Sequence, residues 1–326
     1  MLNNFLKEKV MCLKETKTLF KREIRDFWIC PTFRCSMRCK TCKLWKKEPG
    51  NLDVSIIKRI LRDKLTKNTH FILEGGEFLL YPDYKEVLKL LSGRKYSLFT
   101  AGYLDKRLID ATLKYKIPEI IISLDGTPKT NKKIKGKDIF SAIEHIIDEL
   151  KGKTKLSVSY TMSKWNSKDD LLFVKKFCEK KRVPLDINIY NDAKYLGSTV
   201  KMQKLYNPKE IGLESDYIKF YNLWLEGKLK LPCLNIRVRT GVYPNGDLYL
   251  CKKKDIRIGN LYEKSLREIW NSKKTKRLQK EHLWCNNCWM YCSRKYDLDV
   301  INRLSSYFPK SILKKYWKEN YKLLKS

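Results

Sequence analysis

Residues 27–42 read FWICPTFRCSMRCKTC. An apolar run, Phe27–Pro31, ends at a proline and passes directly into a C-x3-C-x2-C spacing at Cys35, Cys39 and Cys42. The run predicts a buried strand. The loop beyond a strand's carboxyl end is where α/β sheets carry their chemistry. Three thiolates in one short loop can wrap around one metal centre. Zinc is the alternative on spacing alone, but a structural zinc site wants four ligands. The nearest further thiol, Cys30, falls within the strand and reads as a small core residue.

Outward from this stretch the pattern repeats. Short β-rich runs at 69–74, 96–100, 119–124, 156–161 and 185–190 alternate with amphipathic segments near 54–65, 84–91, 105–116, 139–150 and 169–181. Six strands alternating with helices predict an α/β fold with a parallel sheet. The second run ends in Glu74-Gly75-Gly76-Glu77, where two glycines let backbone approach a ligand closely. Residues 191–231 read as a linker with one or two helices. Beyond them 236–242 and 247–250 flank Tyr243-Pro244-Asn245-Gly246, a hairpin signal, and a helix is expected near 265–271.

The chain has 326 residues, 70 Lys and Arg against 36 Asp and Glu, a net charge of +34 and eleven cysteines. An odd, clustered cysteine count argues against a secreted disulfide framework and for metal binding in the cytoplasm. No apolar run approaches the roughly 18 residues that span a bilayer, and the charged N-terminus is no secretory signal. The positive charge is spread along the chain and outlines no nucleic-acid-binding stripe, so nucleic acid is not the expected partner. Basic amphipathic helices are expected at 1–24 and 301–326, and helices of this kind can make peripheral membrane contact. With three histidines, His70, His145 and His282, a His-dependent nucleophilic mechanism has little support. Tyr160 and Asn188, on the fifth and sixth strands, are candidates to line a cavity.

A second constellation follows. Cys233 and Cys251 form a C-x12-G-x4-C pattern, and Cys285, Cys288 and Cys292 close the set. A hairpin between the first two would bring their thiols together. Four thiolates suit a 4Fe–4S cluster or a closed zinc site equally well.

The chain resembles radical S-adenosylmethionine (SAM) enzymes with a C-terminal SPASM or twitch extension. The resemblance rests on Cys35, Cys39 and Cys42, on Glu74-Gly75-Gly76-Glu77, on Thr100-Ala101-Gly102 and on Ser123-Leu124-Asp125-Gly126. It implies a partial (β/α)6 TIM-like barrel over 25–205, a helical linker over 206–231 and a small cysteine-rich domain over 232–300. It also implies a SAM-binding 4Fe–4S cluster on Cys35, Cys39 and Cys42, with SAM contacts from Gly75, Gly76, Glu77, Thr100, Ser123 and Asp125. One auxiliary 4Fe–4S cluster is expected on Cys233, Cys251, Cys285 and Cys288, with Cys292 spare or substituting for one of them. Departures from the family pattern are Phe78 for a proline, Thr41 for an aromatic residue and Ala101 for an asparagine. The implied reaction is reductive cleavage of SAM to a 5′-deoxyadenosyl radical and hydrogen abstraction from a substrate C–H, in peptide or protein modification. A small metabolite, sugar or lipid is the other substrate class, and a zinc-stabilised nucleic-acid-binding protein the remaining alternative. An electron donor such as flavodoxin or ferredoxin is expected as a partner.

Overall fold

The first strand, β1 (Asp26–Ile29), is buried along its whole length, as a central strand covered on both faces must be. The computed structural model describes residues 22–191, 193 and 216–307; the expected terminal helices lie mostly outside them. Five more strands pair with β1 in sequence order and in parallel: β2 (His70–Leu73), β3 (Tyr96–Thr100), β4 (Glu119–Ser123), β5 (Lys155–Met162) and β6 (Leu185–Ile189). The crossovers carry α1 (Val54–Arg62), α2 (Tyr84–Leu90), α3 (Asp105–Tyr115), α4 (Pro128–Lys135), α5 (Phe140–Leu150) and α6 (Lys168–Lys181). This is the parallel α/β sheet of a partial TIM-like barrel.

Helix α4 was not expected. Its sequence, PKTNKKIK, has no apolar period, but its ends carry signals. Thr127 caps the N-terminus through its side chain, Pro128 takes the first turn, and Gly136 closes the C-terminus in the left-handed region at φ 78°.

The sheet separates two environments. Leu98, Ile120, Ile122, Val158 and Tyr160 are buried, and the Tyr160 hydroxyl donates to the Ser167 carbonyl at the start of α6. The alternate positions, Phe99, Ile121, Ser123, Thr161 and Asn188, share the opposite face by register and are only partly covered. Phe99, at mid-strand, is 39% exposed. Of the two residues expected to line a cavity, Asn188 is therefore on the open face and Tyr160 on the helix side.

The sheet continues past β1 with β7 (Arg239–Val242), β8 (Asp247–Cys251) and β9 (Ile256–Asn260), an antiparallel meander, giving nine strands among the described residues in the order β6-β5-β4-β3-β2-β1-β7-β8-β9. The hairpin was expected; β9 and the short α8 (Asn235–Val238), where a strand had been read, were not. Gly241 makes the junction possible, since a Cβ there would lie 2.1 Å from the Trp28 ring.

The chain divides into two compact units. Among the described residues the larger holds 24–191, 193 and 240–275, so the meander belongs with the barrel strands. The smaller holds 22–23, 216–239 and 276–307, with α7 (Asp216–Leu225), α8, α10 (Lys273–Glu281, from Lys276 on) and α11 (Tyr291–Tyr307). Helix α9 (Leu266–Asn271) closes the larger unit behind a Ser265–Glu268 capping box. No helix among the described residues is long and apolar enough to cross a membrane.

Candidate active site

In the larger unit the cysteine loop leaves β1 and returns to it. Its base is closed by Phe33 N–H to the Pro49 carbonyl (3.0 Å), Leu52 N–H to the Pro31 carbonyl (2.8 Å), and the Thr32 hydroxyl on the Pro49 and Gly50 carbonyls. The glycine pair after β2 packs on this loop. Gly76 N–H donates to the Thr32 carbonyl and Glu77 N–H to the Arg34 carbonyl, at 3.0 and 2.8 Å. A Cβ on Gly76 would lie 2.2 Å from the Arg34 oxygen; one on Gly75, at φ 136°, would lie 2.7 Å from the Thr32 oxygen. The glycines thus seat the loop that carries the thiols.

The far side of the loop rests on α4. Arg38 and Lys40 N–H groups donate to the Lys135 and Ile134 carbonyls at 3.0 and 2.9 Å. Ser36 N–H donates to the Tyr103 hydroxyl (3.2 Å). Cys35, Cys39 and Cys42 are all half-buried. Burial pushes the Cys35 thiol up to about 11 and Cys42 to about 12, and raises Cys39; the charge of Cys39 adds to the rise at the other two. Thiols held this way ionise readily only when a cation compensates them, which suits the donor set of an iron–sulfur cluster. No three His, Cys, Asp or Glu among the described residues converge tightly enough for a single ion. A cluster spreads its ligands over several irons and does not demand such convergence.

Glu77 is 1% exposed. Its Oε2 accepts from the Thr100 hydroxyl (2.9 Å) and Ala101 N–H (3.3 Å), whereas Oε1 is buried without a hydrogen bond. Burial raises its pKa to about 7, against the Thr100, Ala101 and Leu79 contacts that lower it. An orphaned carboxylate oxygen of this kind fits a ligand ammonium. Thr100 also accepts from Gly102 N–H (3.0 Å), so the β3 terminus and Glu77 are one hydrogen-bonded piece.

Asp125 and Ser123 converge on a residue the sequence reading did not single out. The Lys135 ammonium, 4% exposed, donates to Ser123 Oγ and pairs with Asp125 Oδ2, both at 2.5 Å. Asp125 Oδ1 accepts from Thr161 N–H (2.9 Å). Both Asp125 oxygens are thus engaged, and Asp125 acts on the site by holding Lys135. Cys39 and Cys42 are among the charge neighbours of Lys135. Nothing in a chain with 70 Lys and Arg marks this lysine; a capped α4 ending on Lys135-Gly136 was the available signal.

Glu74 pairs with Lys252, the residue after Cys251, and the Lys252 ammonium lies 4.8 Å from the Trp28 ring centroid. Sequence distance hid this pair too.

The other cysteine group divides between the units. Cys251 ends β8 in the larger unit. Cys233, Cys285, Cys288 and Cys292 belong to the smaller one, where Cys233 N–H donates to the Leu283 carbonyl (2.6 Å) and the Cys292 carbonyl accepts from Arg239 (3.0 Å). Burial raises the Cys288 thiol, and Arg294 is the largest opposing influence. Cys30 and Cys178 are buried core thiols.

The family model described as Radical SAM superfamily matches residues 29–172, and the SPASM model, an iron-sulfur cluster-binding domain, matches residues 233–289. The latter span contains Cys233, Cys251, Cys285 and Cys288 and stops before Cys292. Among solved structures, SuiB of Streptococcus suis bound to S-adenosylmethionine is similar at 17% identity and TM-score 0.65, over 84% of this chain and 72% of that one. The same protein bound to its precursor peptide SuiA matches at 16% and TM-score 0.64, over 84% and 71%. The anSMEcpe protein with bound AdoMet and the Kp18Cys peptide matches at 17% and TM-score 0.58, over 86% and 96%. No curated protein matches by sequence. The chain is an enzyme of the radical SAM superfamily, with SAM and 4Fe–4S clusters as its cofactors and a SPASM domain in its C-terminal part.

Proposed function

We propose that this enzyme modifies a peptide or protein by abstracting hydrogen from one of its C–H bonds. One observation carries the reading. The open face of the sheet presents Thr161 and Asn188 toward its carboxyl end and exposed Phe99 at mid-strand, hydrogen-bonding groups and one aromatic surface that suit a polypeptide segment. Two proteins of the same fold, SuiB and anSMEcpe, bind peptides, which supports it.

In this reading Cys35, Cys39 and Cys42 hold the SAM-binding cluster, Gly75, Gly76, Glu77 and Thr100 line the SAM pocket, and Ser123 and Asp125 act on it by holding Lys135. When bound, cluster and SAM together supply the 5′-deoxyadenosyl radical. The protein's own part is positional. The glycine pair fixes the thiol loop, Glu77 presents its free oxygen to the SAM ammonium, and Lys135 provides a buried cation beside Cys39. In the smaller unit Cys233, Cys285 and Cys288 are ligands of one auxiliary cluster, which takes up or relays an electron. A small electron carrier such as flavodoxin or ferredoxin in the cytoplasm supplies the first electron; the +34 chain attracts such acidic proteins.

The test is isotopic. Reconstituted enzyme is reduced anoxically with SAM and a library of deuterated peptides. Deuterium in 5′-deoxyadenosine and a mass change in the peptide are expected. Transfer from a deuterated sugar or lipid, with none from any peptide, would sink the peptide reading and leave the radical chemistry standing.

A further inference from the structure

The smaller unit contains a buried ion pair that the chemistry described so far does not use. The Arg294 side chain is 1% exposed and that of Asp297 is fully buried, and they meet at 3.0 Å one turn apart on α11. A buried pair of this kind is weak evidence for stability, because desolvation offsets much of the attraction. Its contacts point to another role.

The guanidinium distributes its donors over two cysteine-bearing segments. Nε donates to the Cys288 carbonyl (3.1 Å), and one terminal nitrogen to the Pro232 and Leu231 carbonyls (3.2 and 3.4 Å) as well as to Asp297 Oδ2. The other terminal nitrogen donates to Asn286 Oδ1 (3.0 Å). Asp297 completes the bracket, its Oδ1 accepting from Leu234 N–H at 2.9 Å. The main chain immediately before and after Cys233 is therefore tied, through one Arg–Asp pair, to the main chain of the Cys285–Cys288 turn.

Asn286, between those two cysteines, is held from both ends. Its side chain also accepts from Leu231 N–H (3.3 Å) and donates to the Leu229 carbonyl (3.2 Å), and its own carbonyl accepts from the Trp224 indole (2.9 Å). The pair is also oriented. The Cys288 and Cys233 thiols are among the charge neighbours of Arg294, whereas the influences on Asp297 are burial, Arg294 and Leu234. The cationic end faces the thiols.

We propose that Arg294, held by Asp297, is the positioning residue of the auxiliary cluster. It fixes the segments that present Cys233, Cys285 and Cys288, and its charge raises the reduction potential of the cluster they bind. A cluster ligated by thiolates gains negative charge on reduction, and a fixed cation beside its ligands favours that state. An Arg suits both tasks, since its planar fork serves several carbonyls at once and never deprotonates. This proposal rests on the reading that these cysteines hold a cluster.

The test uses the full chain with Cys35, Cys39 and Cys42 changed to Ala, so that only the auxiliary cluster remains. Iron and sulfide content come first: a background protein without a cluster would overturn the ligand reading itself. Next, midpoint potentials are measured by EPR-monitored titration. Arg294→Met should shift the oxidised-to-reduced ratio at least tenfold toward the oxidised form, 59 mV for a one-electron couple. Arg294→Lys should restore most of that shift while binding less iron, because an ammonium cannot span the same carbonyls. Asp297→Asn should move the potential the opposite way, and it decides the matter if Arg294→Met does not fold. Potentials unchanged in Arg294→Met, or in Asp297→Asn where that variant decides, would overturn the proposal.

Discussion

The two cysteine-bearing regions are built by different means. In the larger unit the thiol loop is seated by main chain: glycines without side chains, N–H groups on carbonyls, and the last carbonyls of α4. In the smaller unit the thiol turns are seated by large side chains: Arg294, Asp297, Asn286 and an aromatic group of Tyr217, Trp224 and Trp289. The difference teaches what each place is for. The first must let a small cofactor approach backbone closely, so side chains are removed. The second has little sheet of its own, so side chains must supply the order that a β-ladder supplies elsewhere.

The comparison breaks most sharply if the side-chain scaffold proves dispensable. Trp289 is fully buried; its indole donates to the Tyr217 carbonyl (2.7 Å), while the Tyr217 hydroxyl donates to the Trp289 carbonyl (2.6 Å). Trp289→Ala should cost about 3–5 kcal/mol. Thermal melts should show an earlier transition, with loss of auxiliary but not SAM-binding iron.

In the larger unit the corresponding change is an addition. Gly76→Ala places a methyl against two loop carbonyls that cannot give way singly. It should cost about 1–3 kcal/mol and lower 5′-deoxyadenosine formation at least tenfold, with auxiliary iron intact. Equal loss at both cysteine regions would erase the distinction.

A third prediction concerns pH. Glu77 titrates at about 7 in the folded chain against 4.5 when unperturbed. Between those values the unfolded chain has released a proton that the native one retains, so native stability falls as pH rises and levels off above about 7. Glu77→Gln lacks this slope. From pH 5.5 to 7 the wild type should lose roughly 2 kcal/mol relative to the variant, read from anoxic melts of reconstituted protein. A constant gap would mean that Glu77 is not buried as described. The smallest effect is Thr100→Val, which removes the hydrogen bonds to Glu77 and from Gly102 N–H and should cost about 1–2 kcal/mol, with weaker SAM binding in equilibrium dialysis.

Much of the larger unit was legible because its signals are local. Six apolar runs at α/β spacing gave six parallel strands, within a residue or two at most ends. Helix α4 escaped because it is lysine-rich and buries only one apolar side chain, Ile134. Strand β9 escaped because it is an edge with exposed Arg257 and a β-bulge, where alternation is weak. The charged residues that shape both regions were illegible for a different reason. Burial of one Lys or Arg among 70 depends on which carbonyls and carboxylates face it after folding, and those lie far away in sequence.

The sequence by itself therefore determined the thiol spacings, the glycines that must meet backbone, and the parallel order of the strands, since each follows from chain geometry over a few residues. Only the tertiary structure decided that Asp125 is occupied by Lys135, that Asn188 and not Tyr160 lies on the open face, and that Arg294 joins two cysteine segments. Those are contests between desolvation and pairing, and their outcome is fixed only when distant segments pack.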